Sequence, residues 1–130
     1  MQEARPFLVH GVWKRSATTV GVTNPFTGNV FAEVCQAGES DVEEAIASSV
    51  AAAPVMAKLA SHARYNILQD MAALLYRRRD EFAQTITEEA GKPIADAKRE
   101  VNRAVQTLTI AAEEAKRIPG EVVPLDWTPQ

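Results

Sequence analysis

The residues best suited to chemistry crowd into TEEAGKPIADAKREVNRAV, residues 87–105, which holds Glu88, Glu89, Lys92, Asp96, Glu100 and Arg103. Their plain reading is the solvated face of helical ground, with Asp96 close to Lys98 and Arg99 in sequence. Elsewhere the chain offers little. His10 and His62 are far apart, and Cys35 is the single cysteine, so no metal-ligand spacing exists. Cys35 sits in strand-like sequence with no nearby histidine and reads as a small buried hydrophobe, not a nucleophile. There is no G-x-G-x-x-G and no P-loop, and no spacing links a serine to a histidine and an acid. Residue types and spacing alone assemble no active site.

The elements that would position these residues change character once, near residue 38. Before it the chain reads as short strands. Phe7 to Trp13 alternates loosely, Thr18 to Thr23 is mostly β-branched, and Val30 to Val34 returns after the turn Asn24-Pro25-Phe26-Thr27-Gly28. After it the chain reads as helices. Ser40-Asp41-Val42-Glu43 has the form of a capping box. Pro54 is expected to end or kink the first helix, and Ser61 to cap a second. That second helix would bury Ile67, Leu68, Met71, Leu74 and Leu75. A third helix would start at Asp80 and stop near Gly91. Pro93 suits the first turn of a fourth, running to about Arg117 with a stripe of Ile94, Ala97, Val101, Val105, Leu108 and Ala112. The expected fold class is α+β: a short antiparallel strand meander over 7–37, about four helices over 38–118 and an extended tail over 119–130. Val122, Val123, Leu125 and Trp127 leave that tail apolar, with nothing after it to pack against.

Bulk properties narrow the class. The 130 residues suit one domain, 46% of them are apolar, and the net charge of −3 is unlike a nucleic-acid binder. Arg77-Arg78-Arg79 runs straight into Asp80 and Glu81 and reads as a solvated helix end. One cysteine can form no intrachain disulfide, and no signal pattern or membrane-length apolar run is present. The expectation is a soluble cytoplasmic protein without nucleic-acid or membrane partners.

Five motifs in order then carry a resemblance. They are Asn24-Pro25-x-Thr27-Gly28; Ser40 to Ile46; Arg64 with Ile67-Leu68, Leu74-Leu75 and Arg78; Glu89-Ala90-Gly91-Lys92-Pro93; and Pro119-Gly120-Glu121 with Pro124. From about Val20 onward the chain resembles the N-terminal segment of the aldehyde dehydrogenase superfamily. The aromatic pair that the family often carries before Arg64 is replaced by Ala53 and Met56. The resemblance implies an incomplete piece of a larger α/β fold, since the family's catalytic cysteine, general-base glutamate, oxyanion-hole asparagine and cofactor strands lie downstream. The chain therefore has no matching catalytic or cofactor-binding residue. The parent would use NAD or NADP to oxidise a small-molecule aldehyde through a thiohemiacetal and a thioester, and the piece itself would be inactive. It would supply scaffold, part of a homo-oligomer surface and one wall of the substrate entrance.

Two further implications concern single residues. Glu100-Val101-Asn102-Arg103 and Ala111-Ala112-Glu113-Glu114 resemble the branch that includes non-phosphorylating glyceraldehyde-3-phosphate dehydrogenases. There an arginine at the place of Arg103 faces the substrate's anionic group, which implies a substrate-binding set of Arg103, Glu100 and Ala104. From the residues alone, Arg103 is a solvated arginine able to pair with Glu100. The resemblance also implies a monovalent cation between Glu89 and the backbone carbonyl near Val22, while the residues alone allow a solvated helix-end carboxylate. A different class of reading is a freestanding helical module that binds a partner protein.

Overall fold

A computed structural model describes residues 3–124. The order is four strands, then four helices. β1 (Phe7–Val9) and β2 (Val12–Lys14) form one hairpin, and β3 (Thr19–Thr23) and β4 (Val30–Cys35) form another. Phe7 to Trp13 is thus not one strand. His10 and Gly11 take left-handed φ values of 52° and 73° and close a two-residue turn, with Val9 opposite Val12. The expected meander is therefore two separate hairpins. Arg5 joins them, donating its N–H to the Glu33 carbonyl and accepting from the Cys35 N–H, both at 2.8 Å.

The β3–β4 turn follows the Asn-Pro-x-x-Gly chemistry. Asn24 Oδ1 accepts from the Phe26 and Thr27 amides at 2.9 and 3.2 Å, and Gly28 supplies the left-handed residue at φ 74°. The ladder shifts register between Val22 and Thr23.

The helices are α1 (Glu39–Ala57), α2 (Ser61–Arg77), α3 (Arg79–Ala90) and α4 (Ile94–Ala115). Two details, the caps of α1 and α2, depart from the sequence reading, and a third, Pro54, does not end its helix on the spot. Gly38, extended at φ −90° and ψ 175°, caps α1 in place of Ser40. The acid that reaches back is Asp41, accepting from the Gly38 N–H at 3.0 Å; glycine has no side chain to complete the reciprocal half. Pro54 lies inside α1, which continues to Ala57. Ser61 is the first residue of α2 and not its cap; Ala60 is the cap and makes no side-chain hydrogen bond.

α4 packs on α2 and α3, and this contact makes the core. Ala83, Ala97 and Val101 are buried together, with Leu75 and Ile86 against them, and Ala72 and Ala112 are buried nearby. Small side chains let helix axes approach closely. The large residues expected to be core are less covered: Ile67, Met71, Leu74 and Ile94 are exposed. α1 buries no residue. It sits on the first hairpin through Lys14, paired with Glu44 at 2.5 Å and Asp41 at 3.5 Å, and through His10 Nδ1 and Ser48 Oγ at 2.8 Å. Among the described residues no helix is long and apolar enough to cross a membrane. Leu125 and Trp127 lie outside the described residues, and 119–124 carry no regular structure.

Gly91 joins the two halves. It ends α3 at φ 67°, and a Cβ there would stand 2.9 Å from Pro25 Cγ. A side chain at this position meets both backbone strain and a proline ring. Gly91→Ala is expected to destabilise the chain by about 1–2 kcal/mol from the left-handed φ alone, with the clash in addition. The Pro25→Ala change should recover only the clash. Chemical denaturation of the two single variants and the double variant measures both parts, and an unchanged midpoint for Gly91→Ala would refute the account.

Candidate functional site

The connection between α3 and α4 sets the site. The Gly91 N–H donates to the Thr87 carbonyl at 3.0 Å, which closes α3. Pro93 then caps α4, its carbonyl accepting from the Asp96 and Ala97 amides at 2.9 and 3.0 Å. Between them Lys92 folds back along α4. Its Nζ donates to Glu100 Oε1 at 2.6 Å, eight residues away in sequence. Arg103 Nη2 lies 4.0 Å from the same oxygen. The Arg103 side chain is 78% exposed, and Arg99 pairs with Asp96 instead.

Two concavities meet at these residues. One, of about 400 Å³, is lined by the charged residues Lys92, Asp96, Arg99, Glu100 and Arg103. The other, of about 610 Å³, is an apolar groove between α2, α3 and α4. Leu75, Phe82, Ile86 and Leu108 form much of its wall. Glu100 and Arg103 belong to both, and Ala104 to the groove. All three residues expected at the substrate site thus share one rim. Spacing alone suggested an Arg103–Glu100 pair; Lys92 is the nearer partner. No helical spacing links Lys92 to Glu100, so the sequence carried no signal for it. The hydrogen bond from Lys92 holds the Glu100 carboxyl below the usual carboxylate range, against a smaller opposing effect of partial burial; the charges of Lys92 and Arg103 add to the lowering.

The other expected residues lie apart from this rim. Glu89 is exposed at the end of α3, and Val22 is half-buried near the end of β3. α3 packs on β3, and Gly91 approaches Pro25 closely, so the two ends are neighbours. The oxygens on offer are a carboxylate and a backbone carbonyl, a donor set that suits a hard cation. Among the described residues no cluster of three His, Cys, Asp or Glu side chains could hold a metal. Cys35 is buried in β4 and free.

A family model for the aldehyde dehydrogenase family matches residues 13–130. The chain belongs to the aldehyde dehydrogenase family. Within it, a 3-sulfolactaldehyde dehydrogenase of Priestia aryabhattai is 40% identical over 121 residues, 93% of this chain and 25% of that protein. Aldehyde dehydrogenase 21 of Physcomitrella patens, solved with the reaction product succinate, superposes with a TM-score of 0.89 at 42% identity. It is covered over 26% of its length, and 96% of this chain takes part. An NAD-dependent benzaldehyde dehydrogenase of Corynebacterium glutamicum gives a TM-score of 0.88 at 26% identity, over 96% of this chain and 28% of that one. The aldehyde dehydrogenase segment described here thus spans about a quarter of these relatives' length and makes a part of their fold.

The Lys92–Glu100 bond has a measurable signature. Because the folded Glu100 carboxyl titrates below its unfolded value, its contribution to stability is present above the ordinary glutamate range of about 4.3 and is lost as pH falls through the folded value. Lys92→Met should move the Glu100 titration up toward the ordinary range. Carbon-detected NMR of the side-chain carboxyl reads this directly, and an unmoved midpoint would show that Lys92 is not the cause.

Proposed function

We propose that this chain is the N-terminal segment of an NAD(P)-dependent aldehyde dehydrogenase that oxidises a small aldehyde bearing an anionic group to the carboxylic acid. The observation that carries the reading is Arg103. Its guanidinium is exposed at the mouth of an apolar groove, and the adjacent carboxylate, Glu100, is held by Lys92. A planar guanidinium binds carboxylate, sulfonate or phosphate by a forked contact. The relatives named for 3-sulfolactaldehyde and solved with succinate support that class, since both compounds are anionic. In this reading Arg103 holds the anionic end, Ala104 leaves room beside it, and Glu100 lines the same rim. The nicotinamide, when bound, takes up the reducing equivalents. No residue of this segment is assigned to its binding, nor to the nucleophile.

Other parts of the reading follow the family. A monovalent cation would sit between Glu89 and the Val22 carbonyl, bracing α3 against β3. The exposed apolar residues of α1 and α2, among them Val50, Val55 and Met71, would be covered by the rest of the enzyme and by further subunits of a cytoplasmic homo-oligomer. Family membership favours the enzyme over a freestanding interaction module.

Two measurements test this. Residues 1–130 alone should turn over no aldehyde; turnover that disappears in Cys35→Ala would overturn the assignment of catalysis to the rest of the enzyme. In the full-length enzyme, Arg103→Ala should remove a charge-assisted hydrogen bond worth about 1.5–3 kcal/mol, or ten- to a hundredfold in kcat/KM for an anionic aldehyde. The loss should fall mainly on KM, because the contact is remote from the reacting carbonyl and is equal in ground and transition states. Arg103→Lys should recover part of it. Steady-state kinetics with one anionic and one neutral aldehyde of similar size decide the matter. Equal losses for both substrates would mean that Arg103 holds the helix and not the substrate.

A further inference from the structure

We propose that Lys92 is a positioning residue for anion recognition: by occupying Glu100 it keeps the Arg103 guanidinium available to the substrate. The inference rests on the substrate role of Arg103 and adds the device that makes this role possible. On an isolated helix, Glu100 and Arg103 stand three residues apart and would pair with each other. Such a pair would place a carboxylate against the cation meant for the ligand. Here one oxygen, Glu100 Oε1, lies 2.6 Å from Lys92 and 4.0 Å from Arg103.

The charges around the smaller concavity support the same assignment. Its lining holds three cations, Lys92, Arg99 and Arg103, and two carboxylates, Asp96 and Glu100. Arg99 takes Asp96, and Lys92 takes Glu100. Arg103 is left with the longest of these contacts, 4.0 Å to Glu100 Oε1, and its side chain is 78% exposed. The backbone makes the arrangement possible. Gly91 turns the chain at φ 67° in close contact with Pro25, and Lys92 emerges from that braced turn over the first turns of α4.

The test is a double-mutant cycle in the full-length protein, read by calorimetric titration of succinate in the absence of cofactor. The variants are Lys92→Met, which keeps the stem, Glu100→Gln, and the two together, with Arg103→Ala as reference. Arg103→Ala should weaken succinate binding about ten- to a hundredfold. Lys92→Met should weaken it about two- to fivefold, the range of a surface ion pair. Glu100→Gln should improve binding more in the Lys92→Met background than in the parent, because only there has the carboxylate recaptured Arg103. Lys92→Arg should bind as the parent does. If Arg103→Ala has no effect, the substrate reading itself falls. If Arg103→Ala weakens binding while Lys92→Met is silent, the Lys92 proposal alone falls. Equal gains from Glu100→Gln in both backgrounds would indicate net charge alone and would also overturn it.

Discussion

The close approach of α4 to α2 and α3 is the constraint on which the rest of the structure depends. Ala83, Ala97 and Ala112 are each fully buried, Ala72 and Val101 nearly so, and among the described residues no large side chain is fully buried. Alanine at these positions fixes the distance between helices. A larger residue would separate them and open the groove between Leu75, Ile86 and Leu108. With Ala97 and Val101 facing inward, helical rotation of about 100° per residue puts Ala104 and Glu100 along the rim of that contact and turns Arg103 toward solvent beside them, where its side chain is 78% exposed. Arg103 thus stands where it does because two buried residues on its own helix fix the rotation of α4.

A second constraint, the Gly91 turn, converts this rim into a charged site. Without a left-handed residue the chain would not leave α3 at the angle that brings Lys92 over α4. The close contact to Pro25, beside the packing of α3 on β3, ties the helices to the β3–β4 hairpin. The electrostatics follow from this geometry. Glu100 is ionised more readily than an ordinary glutamate because Lys92 donates to it, and Arg103 is left with solvent around it. Surface ion pairs of this kind contribute little to folding, so in the proposed reading their value is in arranging which cation the ligand meets.

The remainder of the chain is held differently. α1 buries no residue and rests on the first hairpin through Lys14 and His10. Val42, Ile46, Val50, Val55 and Met56 along it stay exposed, as do Ile67 and Met71 on α2. The chain spans about a quarter of its relatives' length, and these faces are the ones a larger fold would cover. Amphipathic periodicity thus reports two kinds of surface alike: the face packed within these residues and the face that expects further neighbours.

That ambiguity marks the boundary of what the sequence by itself determined. Turn chemistry was legible because it is local. Asn24 and Gly28 specified the second hairpin, Gly91 the end of α3, and Pro93 the start of α4: the two glycines through left-handed angles, Asn24 through its side-chain oxygen, and Pro93 through its fixed φ. The strand-to-helix order was legible for the same reason, and five motifs in order made the family legible. The His10-Gly11 turn was missed because histidine gives no strong turn signal, although it adopts a left-handed φ here. Ser40 and Ser61 suit caps by type, but Gly38 and Ala60 took the extended backbone that a cap requires. The α4 stripe already held the buried Ala97, Val101 and Ala112, but the tertiary structure decided that Ile94 on that stripe and Ile67, Met71 and Leu74 on α2 stay exposed, because periodicity cannot tell a face that meets another helix from one that does not. The tertiary structure alone decided the partner of Glu100 as well. Helical spacing offers Arg103, three residues on, and only a turned chain can bring Lys92 to the same oxygen from eight residues away.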